Sequence, residues 1–440
     1  MTWGMTRVMK FAAGLALAHK RLMFARRERR PIVFFLCIYG GLLSGCATIS
    51  DRQSAPTSIT SAPGADFTLR LIGERRLDHR LAFGGTIVGG LSGIDYDPAS
   101  DLYYLISDDR SVFSPTRFYT ARLKIDEHAF ADVALQTVVT LLRPDNTHYP
   151  PHGSDDAADA EAIRFDRVTR SLWWTSEGER TPRTRRGGPR LIDPFMRQSA
   201  LDGRDLGEIP LDPMFRISAQ ARGPRDNRVF EGATLSVDTQ SLWVAMEGPL
   251  IRDGPMPTQD RGAWSRFSRH DRMPSRGFGP LAMQLAYPID PIPAESAWTI
   301  AYAVNGVSEI LAIDATRLLV LERAFILGLG WRVRLYQADT SHASDIRTIE
   351  SLASDSSVPL DFVPMEKRLV LDLGTLGIVI DNLEGLCFGP TLSNGHRTLI
   401  LVSDDNFNPG QVTQFLAFEI VPDSRGALPR ITNDSSMTHE

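Results

Sequence analysis

Glu161, Glu231, Glu309 and Glu384 each stand at the head of a short apolar run. Asp108, Glu177, Glu247, Glu322 and Asp404 each close the apolar run that follows, and Ser92 takes the place of Glu in the first copy. The first and last residues of a hairpin are neighbours, so both sets converge on one end of the structure if the runs pair. Carboxylates gathered at one place cannot all stay ionised without a counter-charge. The simplest counter-charge is a divalent cation with oxygen ligands, Ca²⁺ or Mg²⁺. Glu161, Glu231 and Glu384 are then the candidate catalytic carboxylates. Asp108, Glu177, Glu247, Glu309, Glu322 and Asp404 are the candidate metal ligands. A metal so held polarises a phosphoryl oxygen and activates water. Two plainer readings stand beside this one: the acids accept hydrogen bonds from amides at strand ends, or they form a solvated face. The Glu-Gly pairs 231–232 and 384–385 favour a built site or a structural role, because glycine allows close approach.

The elements that must position these acids repeat. Leu91-Ser92-Gly93-Ile94-Asp95-Tyr96-Asp97 precedes Leu102-Tyr103-Tyr104-Leu105-Ile106-Ser107. Ala160 to Asp166 precedes Ser171 to Glu177, and Phe230 to Asp238 precedes Ser241 to Glu247. Val307 to Asp314 precedes Arg317 to Arg323, and Leu383 to Phe388 precedes Arg397 to Asn406. Two apolar runs split by a polar turn read as a β-hairpin. The copies begin at 92, 161, 231, 309 and 384, and a period of roughly 70 to 78 residues has room for four strands with their loops. The expected fold is all-β, a β-propeller of six blades, with the sixth degenerate or closed by the termini. Arg317 to Val333 has helical spacing but reads better as paired strands.

Segments from about Arg180 to Arg228 and from about Arg252 to Arg276 are rich in Arg, Gly and Pro and read as surface insertions. Guanidinium forks suit phosphate, which makes Arg225 and Arg228 candidate phosphate-binding residues; solvated loops are the plainer reading. The nine histidines lie outside the repeated runs, so zinc is not indicated. No Gly-x-Ser-x-Gly and no Ser-His-Asp arrangement is visible. A propeller lactonase type of hydrolase is an alternative, with Asn305, Asn382 and Asn406 as the asparagines best placed for it. A non-catalytic envelope scaffold is another.

The N-terminal segment carries Arg26, Arg27, Arg29 and Arg30, then a mostly apolar run to Gly45, then Cys46. A basic region, a short apolar region and small residues at the cut define a secretion signal. Leu43-Ser44-Gly45-Cys46 resembles the lipobox of bacterial lipoproteins, which implies cleavage before Cys46 and lipidation of its thiol. Residues 1–22 read as a start-site extension of a 1–45 signal, residues 46–65 as a flexible tether, 66–425 as the propeller and 426–440 as a disordered tail. Ala47 rather than Asp after the cysteine implies the outer membrane, facing the periplasm, with the lipid at Cys46 as the membrane partner. Residues 1–45 hold eight basic residues and one acidic residue, so the mature part of this chain of net charge −5 carries −12. That argues against nucleic acid as a partner. After cleavage only Cys387 accompanies the lipidated Cys46, so no internal disulfide is expected.

The Ser-Gly-Ile-Asp-Tyr-Asp copy, the Asp-Ala-Glu-Ala-Ile copy, the Phe-Glu-Gly copy and the Asn-Leu-Glu-Gly-Leu copy with its Ser-Asp-Asp-Asn together resemble the phytase-like domain known as "esterase-like activity of phytase". The resemblance covers about residues 70 to 420. It implies a propeller and a phosphoester hydrolase assisted by acidic residues, acting on a phosphorylated small molecule. The chain departs from the pattern at Ser92.

Overall fold

Each repeated copy folds as the expected hairpin. In the computed structural model, which describes residues 66–422 apart from 183, 185–186, 275–276, 295–300 and 354–360, Leu91–Asp97 pairs with Leu102–Ser107 and Ala160–Asp166 with Ser171–Ser176. Phe230–Leu235 pairs with Ser241–Met246, Ala303–Ala312 with Arg317–Ile326, and Leu383–Thr391 with Arg397–Ser403. The signal segment, Cys46, the tether and the tail lie outside the described residues, as do Arg183, Arg185, Arg186 and Arg276. Short aspartates make the hairpin turns: Asp97 accepts from Ala99 N–H at 3.0 Å and Asp314 from Thr316 N–H at 3.0 Å. The second strands, such as Leu102–Ser107 and Ser171–Ser176, are covered on both faces, which is why they are near-continuous apolar runs rather than alternating ones.

Two further antiparallel strands extend each hairpin outward into a four-stranded blade. Blade one adds Arg117–Ile125 and Phe130–Thr140, and blade two adds Phe195–Ser199 and Asp205–Glu208. Blade three adds Ala263–Met273 and Gly277–Ile289, and blade four adds Gly330–Asp339 and Glu366–Asp372. Blade five takes Thr413–Pro422 from the C-terminal side and its outermost strand, Phe67–Leu77, from the N-terminal side, in register from Phe67↔Pro422 to Leu77↔Thr413. The innermost strands touch one another in sequence around a ring that closes from blade five to blade one. Among the described residues the fold is therefore a β-propeller with five blades, not six. The sixth blade was expected from chain left over at the ends, but the N-terminal strand completes the fifth.

The segments read as Arg-rich insertions are also corrected in part. Residues 180–228 contain both outer strands of blade two, and 252–276 contain the whole blade-three strand Ala263–Met273. Arginine suits a strand here because it is paired inside: Arg266, fully buried, donates to Asp253 Oδ2 at 2.6 Å and to Gln284 Oε1 at 2.7 Å.

Apolar clusters fill every blade-to-blade interface, for example Tyr104, Ile106, Ile163, Phe165 and Trp174 between blades one and two. The innermost strands approach closely enough that side chains are excluded at some positions. A Cβ built on Gly232 would sit 2.8 Å from Glu309 Cα and 2.9 Å from Ile310 N. Both atoms are backbone and cannot swing aside. Gly232→Ala is expected to cost about 1–3 kcal/mol by overpacking, read as a lowered urea midpoint with an unchanged slope; an unchanged midpoint would contradict this packing.

Arg164 crosses the propeller axis from blade two. Its Nη1 donates to Ile94 O at 2.6 Å, its Nη2 to Ile310 O at 3.2 Å, and its Nε to Ala233 O. It also forms an ion pair with Glu309 at 2.6 Å. Four blades are thus tied through one side chain, which plugs the channel between its two mouths.

Candidate metal centre

At one mouth of the channel each innermost strand carries a β-bulge. The pairing slips between Leu91 and Gly93, Ala160 and Ile163, Phe230 and Gly232, Val307 and Glu309, and Leu383 and Gly385. A bulge inserts an unpaired residue and re-aims its side chain. The residues at these slips are Ser92, Glu161, Glu231, Ser308 and Glu384. Four second strands deliver a residue just past their ends, Asp108, Glu177, Glu247 and Asp404, and the longer one of blade four delivers Arg323 from within it. Ser92 and Ser308 donate to the neighbouring blade, to Glu161 O at 2.9 Å and to Leu383 O at 3.3 Å, and so serve closure of the ring.

The carboxylates do converge. Asp159, Glu161 and Glu177 can each offer an oxygen such that all lie within 4.8 Å of one another, and Glu177, Glu231 and Glu247 can do the same. Glu177 is shared by both triads. All five side chains are buried. Glu177 Oε1 accepts from Val229 N–H at 2.6 Å, while Glu177 Oε2 and Glu231 Oε2 are buried with no hydrogen-bond partner. An unbonded buried carboxylate oxygen is costly, and here two of them belong to a triad with the donor chemistry of a hard cation. The buried acidic clusters can therefore hold a metal ion.

Three arginines offset part of the negative charge. Arg323 donates to Glu247 Oε1 at 2.9 Å, Glu231 Oε1 at 3.4 Å and Asn382 Oδ1 at 2.7 Å, and it also pairs with Glu384. Arg228 donates to Glu247 Oε2 at 2.5 Å. Arg110 pairs with Asp159 and reaches Asn227. Asn382 Nδ2 donates to Glu384 Oε1 and to Asp404 Oδ2, each at 3.0 Å. Burial, then the neighbouring carboxylates, raises Glu161 and Glu231 well above the usual carboxylate range. Burial together with Asp159 pushes Glu177 up to about 7, and burial pushes Glu384 up to about 8 against the pull of Arg323. Asp404 is also raised well above its ordinary value, chiefly by burial.

Blade four departs from the sequence reading at both positions. Glu309 stands where the other blades have Gly93, Ala162, Gly232 or Gly385, and it turns to Arg164 and accepts from Ala233 N–H and Ile310 N–H, each at 2.9 Å. Glu322 also lies outside the acidic mouth. It accepts from Tyr287 Oη at 2.9 Å and Asn305 Nδ2 at 3.0 Å, and it pairs with Lys367. Neither residue joins the triads, because a one-residue slip carries side chains to the opposite face. Of the candidate phosphate ligands, Arg228 reaches the mouth through Glu247, whereas Arg225 is tied to Gly254 O at 2.7 Å. Asn305 is engaged with Glu322, and Asn406 donates its backbone N–H to Asp404 Oδ1 at 2.5 Å, so only Asn382 contributes its side chain here. Asp159, Arg110 and Arg323 belong to the mouth and were not singled out from the sequence. Asp159 occupies the place of Asn382, two residues before the bulged glutamate, and that correspondence could have found it.

A family model described as phytase-like, "esterase-like activity of phytase", matches residues 86–407 and so spans all five bulges. The chain belongs to the phytase-like family. No curated protein matches the sequence significantly. Solved structures with likeness to this phytase-like chain include the periplasmic gluconolactonase of Pseudomonas aeruginosa, 12% identical over 85% of this chain and 99% of that one, with a TM-score of 0.32. Another is the alpha-L-arabinofuranosidase of Lactobacillus brevis, 11% identical over 77% of this chain and 93% of that one, with a TM-score of 0.40. At those scores neither decides blade number or chemistry.

The raised carboxyls of the phytase-like mouth set a pH dependence. A carboxyl whose pKa is higher folded than unfolded binds more protons in the native state, so its contribution is fully present below about pH 4.3, the unfolded value, and is lost as pH rises through the folded value. With Glu177 at about 7 and Glu384 at about 8, the chelator-treated protein is expected to melt at a lower temperature at pH 8 than at pH 5. Excess Ca²⁺ is expected to narrow the difference. A melting temperature that rises from pH 5 to pH 8 in chelator would contradict the assignment.

Proposed function

We propose that this phytase-like propeller is a divalent-metal-dependent phosphoester hydrolase whose centre is the acidic mouth. The observation that carries the reading is the pair of triads sharing Glu177, with Glu177 Oε2 and Glu231 Oε2 buried and unbonded. Glu177, Glu231 and Glu247 would hold one cation, with Asp159 and Glu161 available for a second or for its coordination sphere. Ca²⁺ or Mg²⁺ suits an all-carboxylate set. When bound, the cation supplies Lewis-acid polarisation of a phosphoryl oxygen and lowers the pKa of a bound water.

The arginines divide the remaining work. Arg323 is deep, its side chain 10% exposed, and its bonds to Glu231, Glu247 and Glu384 hold the carboxylates in register. Arg110 and Arg228 are more open, at 28% and 18%. They are the guanidinium forks that would meet the oxygens of a phosphate. The Cys46 lipobox supports placement of this centre outside the cytoplasm, tethered to the outer membrane.

The test reconstitutes chelator-treated protein with Ca²⁺ or Mg²⁺ and assays p-nitrophenyl phosphate beside gluconolactone. Phosphate release that requires the metal, and that falls at least about 100-fold in Glu231→Gln, is the expected result. Lactone hydrolysis without phosphate release, or activity indifferent to chelator and to Glu231→Gln, would overturn it.

A further inference from the structure

The opposite mouth of the channel, below Arg164, opens into a cavity of about 970 Å³ formed by the far ends of the innermost strands. Its chemistry is the reverse of the acidic mouth. Arg397 lines it with its guanidinium 3.6 Å from the centroid of the Phe388 ring, and among the described residues that guanidinium meets no carboxylate and makes no hydrogen bond. Burial alone pushes Arg397 down to about 10, with no carboxylate to offset it. Arg167 is exposed at the same rim and, among the described residues, donates only to a backbone carbonyl, Val237 O at 2.8 Å. Of the described residues, Asp95 is the one carboxylate in the lining, and it is already bonded there, as is Glu419 beyond the rim. Glu419 holds Arg70, Asn394 and His396, and Asp95 accepts from Phe165 N–H at 2.7 Å.

A half-buried guanidinium without a counter-charge costs free energy that a bound anion recovers. The lining beside it, Phe388, Pro390, Val237 and Ile420, offers an apolar wall. A concave, mostly apolar site with a few convergent polar groups is the ordinary form of a small-molecule site. We propose that this second mouth binds a small organic anion, its charged group on Arg397 and Arg167 and its apolar body against Phe388. The site is separate from the acidic mouth because Arg164 and Glu309 fill the channel between them.

Calorimetric titration of the purified protein with phenyl phosphate, in chelator so that no metal is held at the acidic mouth, tests this. One binding site is expected. Its affinity should fall at least about tenfold in Arg397→Gln, fall in the exposed-site variant Arg167→Gln, and remain unchanged in Glu231→Gln. Benzyl alcohol, which lacks the charge, should bind at least about tenfold more weakly than phenyl phosphate. No binding of phenyl phosphate, binding indifferent to both arginine variants, or binding lost in Glu231→Gln would overturn the proposal. Should Arg397→Gln not fold, Arg167→Gln and the uncharged probe still decide it.

Discussion

Replacing Glu177 by Gln is expected to uncouple the protein's stability from divalent cations and to remove metal-dependent hydrolysis. Glu177 is the one carboxylate common to both triads, so its loss leaves neither with three oxygen ligands of the right charge. The wild-type protein should gain about 2.7 kcal/mol when the cation stands at 100 times its dissociation constant. The variant should gain almost none. The side-chain oxygen that accepts from Val229 N–H at 2.6 Å can be kept by Gln, so the fold is expected to survive. Indeed, without metal at pH 8 the variant should be at least as stable as wild type, because one of the mutually repelling carboxylates has gone. A purely structural Glu177 would show the opposite, with lower stability in chelator and an unchanged response to Ca²⁺. Paired melting curves with and without the cation separate the two outcomes.

Arg164→Met is expected to destabilise the fold by about 3–5 kcal/mol, the usual cost of breaking a buried ion pair by removing one partner. The side chain bonds carbonyls on three other blades and pairs with Glu309, and it is fully buried. Methionine fills part of the volume but satisfies none of those acceptors. Burial raises the Glu309 carboxyl above its ordinary range even with Arg164 beside it, so in Arg164→Met it must either take up a proton or stay charged with no partner, and both cost free energy. Arg164→Met with Glu309→Gln should therefore recover part of the loss, read as a coupling energy in a double-mutant cycle. Independent, additive losses would mean that the plug is not a unit.

These two residues also show what could be read from the chain and what could not. The hairpin copies were legible because their apolar runs, aspartate turns and closing acids repeat at nearly constant spacing. The convergence of Glu161, Glu177, Glu231, Glu247 and Glu384 followed from hairpin geometry alone. Blade four was misread by one residue. Aligning Glu309 with the other glutamates is natural in one dimension, but the bulge places Ser308 there, as Gly90-Leu91-Ser92 beside Gly306-Val307-Ser308 already hinted. That same correspondence puts Arg323 where blade one has Asp108. The positive charge expected between the acids is thus partly built into the chain. Arginines were sought in insertions, whereas Arg323 and Arg164 lie within strands, where their value depends on contacts with residues some 60 to 150 positions away. The number of blades was missed for a related reason: which strand the N-terminus completes is a matter of closure in space.

The buried carboxylates and three arginines of the acidic mouth leave room, in charge and in geometry, for a divalent cation. Equilibrium dialysis of the chelator-stripped protein against Ca²⁺ and against Mg²⁺ at pH 8, followed by elemental analysis, measures this directly. At least one tightly held ion per chain, absent from Glu177→Gln, is the predicted result. Protein that emerges metal-free from both dialyses, or a Glu177→Gln variant that retains the full complement, would contradict it.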